Sequence, residues 1–159
     1  MSVAFTREED LEAGAAHLPD RPISPHRNLV TASGLAAIET ALAEAMAARA
    51  AAQATEAGDI DRLAMARAVR DLRYWSARRA SAELFEPAAE AGVVAFGRTA
   101  TIARDDGRRQ RFRIVGEDEA DAAKGSISYV SPLARALLGR SAGDSIVVAG
   151  REATVLGVA

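Results

Sequence analysis

The stretch GSISYVSPLARALLG, residues 125–139, joins a strand pattern to a complete helix signal. Its first half, SISYV, has the composition of a short β-strand. Ser131 is a favoured N-cap residue, Pro132 fits the first helical turn, and Gly139 suits the end of the helix. The stretch therefore predicts one short helix that directly follows a strand.

Further strand patterns lie on both sides of this helix. They are VVAFG, TATIA and RFRIVG before it, and SIVVAG and ATVLGV after it, separated by turn residues. RDDGRR predicts a tight hairpin between the second and third patterns, with Gly107 at its sharpest position. Residues 88–159 are therefore predicted to form an α+β domain, in which a strongly bent antiparallel sheet closes over one short helix.

Residues 31 to about 85 have a helical pattern instead. Thr31 or Ser33 can cap a first helix, and a second helix follows it. Apolar residues recur at three-four spacing in the first helix at Leu35, Ile38, Leu42, Ala45 and Ala52. The seam positions of the second helix are Met65, Val69, Leu72 and Ser76. Because both helices are too weakly apolar to be stable alone, we predict an antiparallel coiled-coil hairpin over residues 28–87. A compact helical bundle is the alternative.

The first 27 residues differ from both of these parts. Three prolines within LPDRPISPH, residues 18–26, fix their own φ angles and favour extended conformations before them. We expect an irregular N-terminal arm over residues 1–27, whose acidic start is compatible with a short helix.

The composition argues against several classes of site. The chain has no cysteine, which excludes disulfides and thiolate metal sites. His17 and His26 are separated by prolines, which argues against a zinc site. The formal net charge of −2 gives no reason to expect a free nucleic-acid-binding protein. No apolar run approaches the ~20 residues that span a bilayer, and the start lacks a secretory signal, so we expect a cytoplasmic protein without a membrane partner.

Arginines make the second predicted helix basic. They either face RNA or an acidic protein channel, or form a solvated surface, which we favour: Arg67, Arg70, Arg73, Arg78 and Arg79. Solvent exposure is also favoured for a second group that shares one strand face: Arg109, Arg111 and Arg113. Tyr74 and Trp75 are exceptions to the polar helix, and we expect them to pack against the second domain or the N-terminal arm.

Residues 96–148 resemble the C-terminal domain of the bacterial transcript-cleavage factors GreA and GreB. The matching pieces are FG at the first hairpin, IVGEDEAD after the third strand, GSISYVSPLARALLG, and GD before an apolar strand. LVTASGLAAIETALAE, residues 29–44, also looks like the family's entry into its coiled coil. The resemblance covers residues 28–159, and the N-terminal arm has no counterpart in it.

This resemblance implies a factor in two parts. The FKBP-like C-terminal domain would dock on the rim of the RNA polymerase secondary channel, and the coiled coil would pass down that channel. Acidic residues at its tip would reach the RNA 3′ end and help the polymerase cut backtracked RNA with the polymerase's own Mg²⁺ ions. The resemblance thus implies a monomeric accessory factor, not an enzyme, with no cofactor or metal of its own.

The expected tip, EAGDIDRL at residues 56–63, departs from the family's pattern of roughly Gly-Asp-x-x-Glu-Asn. Gly58 and Asp59 match, but Arg62 stands at the Glu position, and an arginine repels a cation and offers it no oxygen. The arms are also shorter by about two turns, near 10 Å. Asp59 and Asp61 are the candidate tip acids, and we interpret them first as an N-cap and a first-turn partner of the helix dipole.

The acidic loop DEAD, residues 118–121, carries three carboxylates and has no evident packing role in the sequence. With the helix start after it, this loop corresponds to the family's docking loops. We therefore predict a polymerase-docking patch made of Asp118, Glu119, Asp121, Ser131 and Pro132.

The resulting hypothesis is a Gre-family elongation regulator with weak or absent stimulation of transcript cleavage. One alternative is a cleavage-competent GreA/GreB-type factor. Another is an Rnk-like polymerase-binding regulator with a further protein target. A peptidyl-prolyl isomerase is disfavoured because fold does not imply function. Such an enzyme needs an aromatic-lined pocket, and this domain offers only Phe96, Phe112 and Tyr129 for it.

Overall fold

The computed structural model describes residues 18–54, 61–86 and 90–159. The chain divides into two compact units. The first contains the described residues within 18–25 and 38–81, and the second those within 26–37 and 82–159. The first unit is helical and the second is built on a sheet, which confirms the predicted α+β class. Within the described ranges, no helix is both long enough and apolar enough to cross a membrane.

Two antiparallel helices form the body of the first unit. Helix α1 spans Ala32–Gln53, with its first residues in the second unit, and α2 spans Arg62–Ser81. Near the end of α2, Arg79 Nε donates to Oε1 of Glu39, near the start of α1, at 2.9 Å. This pairing of opposite ends confirms the predicted helical hairpin. The turn predicted at Gly58 lies outside the described residues.

Alanines form most of the contact between the helices. On α1, Ile38, Ala45 and Ala52 are buried at intervals of seven residues, which is the period of a coiled coil. On α2 the buried apolar residue is Ala68. The seam predicted for α2 is therefore only partly right, since Ser76 is exposed. Its other members, Met65, Val69 and Leu72, are half-buried.

Residues 18–25, which we call the strap, pack along α2. Arg21 lies with its guanidinium carbon 3.8 Å from the ring centre of Tyr74 and 5.2 Å from that of Trp75. Its Nη1 also lies 3.3 Å from Oδ1 of Asp71, and Arg73 pairs with Asp20 at 3.0 Å. Tyr74 and Trp75 thus pack against the N-terminal arm, one of the two partners expected for them.

The second unit contains a five-stranded mixed sheet. Its strands are β3 (Thr99–Arg104), β4 (Arg109–Val115), β5 (Ser126–Ser128), β6 (Ser145–Val148) and β7 (Arg151–Val158). They lie side by side in the order β5-β4-β3-β7-β6. The predicted sheet was antiparallel, but β4 and β5 run parallel. The reason is their connection, which includes a 3-10 helix at Ala122–Lys124 and brings the chain back so that Ser126, the first residue of β5, lies beside Arg113 of β4. The β3–β4 hairpin is as predicted, with Gly107 at φ 82°.

One short helix, α3 (Pro132–Leu137), packs into the core of this sheet. Ile102, Ile114, Val155 and Leu137 are fully buried there. The predicted strand VVAFG is wrong, because Val93 makes only an isolated bridge to Ser141. Its apolar residues fill the core instead of extending the sheet: Val94 and Phe96.

Two short strands flank the hairpin in the sequence and pair in parallel. They are β1 (Asn28–Val30) and β2 (Ala82–Leu84). Helix α2 therefore ends earlier than residue 85, and the predicted ranges 1–27, 28–87 and 88–159 differ from the compact units. The difference arises because β1 and β2 bond to each other, while Phe85 stacks edge-on against the core residue Phe96 at 5.8 Å.

An exposed ion pair joins the two short strands. Arg27 Nη2 lies 2.5 Å from Oε2 of Glu83. The hydrogen bond that Arg27 donates to the Glu83 carboxylate lowers the pKa of Glu83 and raises the pKa of Arg27. Because the pKa of Glu83 is lowered, this ion pair stabilises the folded protein above the ordinary carboxyl pKa. That stabilisation is lost as the pH falls through the lowered pKa of Glu83. Solvent screening keeps that contribution small.

Gly116 lets β1 cross close to the end of β4. A Cβ atom added at Gly116 would lie 2.3 Å from the backbone oxygen of Leu29. Only glycine permits this approach, because a Cβ atom at residue 116 would clash with the backbone of β1, which cannot turn aside as a side chain can.

We expect Gly116→Ala to destabilise the protein by ~1–3 kcal/mol, since the added methyl must push two backbone segments apart. Gly157→Ala is the matched control, because a Cβ there would meet nothing within 4 Å. Urea denaturation followed by far-UV circular dichroism measures both free energies of unfolding. Equal stability of the two variants would contradict the close approach.

Candidate protein-docking site

The predicted docking residues flank the short strand β5. Asp118, Glu119 and Asp121 lie in the connection that leads to it from β4, and Ser131 and Pro132 begin the helix that follows it. Asp121 is tied to β5 by its backbone N–H, which donates to Ser126 Oγ at 3.0 Å. The backbone N–H of Ser131 donates to Ser128 O at 3.0 Å.

The carboxylate of Glu119 closes the beginning of α1. Its Oε2 accepts a hydrogen bond from Thr31 Oγ1 and its Oε1 accepts one from Ser33 Oγ, each at 2.6 Å. The Glu119 side chain is only 17% exposed. A buried negative charge at a helix N-terminus is stabilised by the partial positive charge of the unpaired N–H groups there. We call these three residues the clasp.

Thr31 is the N-cap residue of α1, and Ser33 serves the clasp instead. Thr31 Oγ1 accepts from Gly34 N at 3.0 Å, and its carbonyl oxygen accepts from Leu35 N at 2.9 Å. Gly34 leaves room for the carboxylate in this position, since a Cβ there would lie 2.6 Å from Oε2 of Glu119 and the Glu119 side chain would have to shift. The Thr-x-x-Gly sequence at the helix entry is therefore the receptor for a distant carboxylate.

Arg113 lies on the other side of this carboxylate. Its Nη1 is 3.6 Å from Oε1 of Glu119, and its Nε donates to the carbonyl oxygen of Gly97 at 3.4 Å. Solvent exposure was predicted for three arginines on this strand face. It is confirmed for Arg109 and Arg111, which are exposed, but not for Arg113, which is half-buried.

Asp121 and Ser131 cap the two short helices beside β5. Asp121 Oδ1 accepts from Ala123 N at 3.1 Å, and Ser131 Oγ accepts from Ala134 N at 3.2 Å. Pro132 occupies the first turn of α3, as predicted. The expectation that the acidic loop has no packing role is thus wrong for Glu119 and Asp121. The docking role of the five residues stays a prediction.

Asp61 is the N-cap residue of α2, whereas the sequence predicted it to be a first-turn partner of the helix dipole. Its Oδ1 accepts from Ala64 N at 3.0 Å, and its carbonyl oxygen accepts from Met65 N at 2.9 Å. Arg62 is exposed in the first turn of that helix. Asp59 lies outside the described residues.

The arginines of α2 do not form a uniform solvated face. Arg67, Arg73 and Arg79 are exposed, as predicted. Arg78 is 1% exposed and Arg70 is half-buried, so the interpretation was wrong for these two. Elsewhere, the pKa of Asp106 is lowered, chiefly by the backbone hydrogen bond from Arg108 in the β3–β4 turn.

The described residues bear on two further kinds of site, a metal cluster and an aromatic-lined isomerase pocket. Across residues 18–54, 61–86 and 90–159, no three histidine or carboxylate groups are placed to share a metal ion. Phe96 is 5% exposed, and its ring stacks edge-on against both Phe85 and Tyr129 at 5.8 Å. It fills the core rather than lining an open pocket, which argues against the isomerase alternative.

Comparison with known proteins identifies the class. Residues 89–158 match the family "Transcription elongation factor, GreA/GreB, C-term". The chain is 38% identical over 109 residues to transcription elongation factor GreA of Paracoccus denitrificans, covering 63% of this chain and 70% of that protein. It is 41% identical over 81 residues to GreB of Neisseria meningitidis, covering 50% of each. The crystal structure of GreA factor homolog 1 of Thermus thermophilus aligns with a TM-score of 0.40 and 19% identity, covering 84% of this chain and 99% of that one.

The family match and the sequence relatives define a transcription elongation factor. The chain belongs to the GreA/GreB family, which confirms the resemblance stated from the sequence.

The clasp is the part of this region that sequence reasoning missed. Thr31 and Glu119 are 88 positions apart, and neither residue type is unusual in its own segment. The available signal was the pairing of a Thr-x-x-Gly helix entry with a glutamate in an otherwise solvated loop, which one sequence does not reveal.

We expect Glu119→Ala to cost ~1–3 kcal/mol, because the hydroxyls of Thr31 and Ser33 lose a charged acceptor. Glu119→Gln keeps one carbonyl acceptor, so its free energy of unfolding should lie between those of the alanine variant and the wild type. Glu152→Ala on the exposed side of β7 is the control, and should stay within about 0.5 kcal/mol of the wild type. Chemical denaturation measures all three, and a Glu119→Ala stability equal to that of the control would contradict the clasp.

Proposed function

We propose that this protein binds RNA polymerase at the rim of the secondary channel through its second unit. There it regulates elongation with weak or absent stimulation of transcript cleavage. It acts in the cytoplasm as a monomer, has no cofactor of its own and is not itself an enzyme. Its hairpin enters the channel toward the RNA 3′ end, and any cleavage uses the polymerase's Mg²⁺. Membership of the GreA/GreB family supports the polymerase as the partner.

The rigidity of the acidic loop supports docking through Asp118 and Asp121. Glu119 anchors the middle of the loop in the clasp, and Asp121 Oδ1 caps the 3-10 helix after it. The Asp121 side chain remains 45% exposed, and its Oδ2 lies 3.8 Å from Lys124. A loop whose shape is fixed by internal bonds can present charge to a partner at little ordering cost.

The observation that carries the weak-cleavage proposal is the start of α2. The Asp61 carboxylate bonds to its own helix, and Arg62 follows it where the family pattern has a glutamate. A bound carboxylate must come within ~2.1 Å of Mg²⁺, and a neighbouring guanidinium opposes the cation. As a cap, the Asp61 carboxylate is held against its own helix through Oδ1, which restricts how it can turn toward a metal.

The length of the arms adds to this limitation. Helices α1 and α2 contain 22 and 20 residues. At 1.5 Å per residue they are about 33 Å and 30 Å long. A carboxylate oxygen that stays even a few ångströms from Mg²⁺ cannot ligate it. The distance that the hairpin tip can reach should therefore limit cleavage more strongly than the identity of residue 62.

Charge reversal at Asp118 and Asp121 together should weaken polymerase binding and make it less sensitive to salt, because opposite charges mainly accelerate encounter. The measurement is competition with a standard Gre cleavage factor. Asp121→Asn retains a capping oxygen while removing charge, so it separates lost charge from lost structure. Reversal at Asp105 and Glu152 supplies the same charge change elsewhere in the unit. If the Asp118 and Asp121 variant binds polymerase as tightly as the Asp105 and Glu152 control variant, the result would count against the docking patch.

Transcript cleavage in backtracked complexes tests the tip. The wild-type protein should cleave at least ~10-fold more slowly than a standard Gre factor, since a tenfold rate loss corresponds to only 1.36 kcal/mol of barrier. Arg62→Glu should restore little activity, whereas Arg62→Glu in arms lengthened by seven residues each should restore more. Robust wild-type cleavage that disappears in Asp59→Ala and Asp61→Ala would instead establish the cleavage-competent alternative.

A further inference from the structure

The strap lies on the side of α2 that faces away from α1. Its residues share cavities with Arg62, Met65, Val69, Arg73 and Ala77 of α2. The groove shared with α1 is lined by a different set, which includes Ala64, Ala68, Asp71 and Trp75. At 100° per residue the centres of these two sets are about half a turn apart. The strap therefore forms a third layer on α2, from which Arg21 reaches Asp71 and Trp75 at the edge of the groove shared with α1.

The strap is held mainly by exposed polar contacts. Asp20 and Arg73 are 65% and 64% exposed in their ion pair, and Arg21 and Asp71 are 35% and 37% exposed in theirs. Its apolar residues are not deeply buried, since Leu18 is half-buried and Ile23 is 47% exposed. Exposed ion pairs of this kind contribute little and weaken with salt. By contrast, the α1–α2 seam contains fully buried side chains.

The strap covers a strongly basic helix. Helix α2 contains six arginines and one aspartate, a formal charge of +5 in a chain whose net charge is −2. Asp20 neutralises Arg73. Among the described residues, the buried Nε atom of Arg70 has no hydrogen-bond acceptor, and Asp71 Oδ1 lies 3.7 Å from it. Burying part of a guanidinium without an acceptor is unfavourable, and Arg70 lines both cavities that α2 shares with the strap.

We propose that the strap is an autoinhibitory cover, which must leave α2 before the hairpin can enter the polymerase. This regulation rests on the proposed function, in which a hairpin of two helices passes down a channel. The third layer widens that hairpin on the face that carries Met65, Val69 and Arg73. A protein whose binding-competent state is a minor fraction of the population binds more weakly by that same fraction. Release of the strap would thus set the apparent affinity.

The test locks the strap in place. Ile23 and Ala77 line one cavity, and the chain has no native cysteine, so Ile23→Cys/Ala77→Cys can be joined by a short thiol-specific cross-linker that is cleavable by reductant. Arg27→Cys/Glu83→Cys, cross-linked in the same way, is the matched control, because that pair joins β1 to β2 and leaves the strap free. Binding to RNA polymerase is measured for each protein before and after reduction.

The locked strap should bind polymerase at least ~10-fold more weakly than the reduced form, with no such difference in the control pair. Arg21→Ala, which loses the contacts to Tyr74 and Asp71, should bind more tightly than the wild type. Equal affinity of locked and reduced protein would overturn the strap proposal and leave the proposed function standing. Absence of binding in the wild type and in every reduced variant would reject the proposed function, and the strap proposal with it.

A second readout needs no polymerase. Trp75 is the single tryptophan, and its ring centre lies 5.2 Å from the guanidinium of Arg21. Its fluorescence emission should therefore shift when Arg21→Ala frees the strap. An emission spectrum identical in the wild type, Arg21→Ala and a variant without residues 1–25 would show that the strap is not seated in solution, and would overturn the proposal.

Discussion

The carboxylate of Glu119 is the contact on which the organisation of the second unit depends. It receives two short hydrogen bonds from the first turn of α1, and it does so from a loop that follows β4. Three conditions make this possible: hydroxyls at Thr31 and Ser33, no side chain at Gly34, and Arg113 beside the charge. Without these partners a carboxylate so little exposed would be costly. The same contact gives the acidic loop the fixed shape that a docking surface requires.

The hairpin is stabilised in a different way. Its seam contains mainly alanine, which buries little apolar area for each residue and contributes little hydrophobic free energy. High helix propensity compensates in part, because alanine loses no side-chain entropy when it enters a helix. The strap adds contacts to Tyr74 and Asp71, which a bare pair of helices would lack. A narrow, weakly apolar hairpin suits the proposed passage into the polymerase channel.

Local patterns predicted most of the elements. The Ser131 cap, the Gly107 turn, the antiparallel helices and the buried positions Ile38, Ala45 and Ala52 all follow from short-range rules of capping and periodicity. The failures involve partners distant in sequence. The parallel β4–β5 pair, the β1–β2 pair and the clasp all join segments that give no local sign of each other. Asp61 and Arg78 were misassigned because a cap and a buried charge depend on backbone geometry and neighbours, not on residue type.

The pairing of β1 with β2 makes the hairpin an insertion into the second unit. The chain leaves that unit after residue 37 and returns to it at residue 82. Because β1 and β2 are bonded to each other in parallel, the entry and exit points are fixed independently of what lies between them. Evolution can therefore lengthen or shorten the arms without rebuilding the sheet, provided that each change keeps the seven-residue spacing of the buried positions. The length of the hairpin is thus a quantity that selection can adjust in steps of two helical turns, separately from the proposed docking surface.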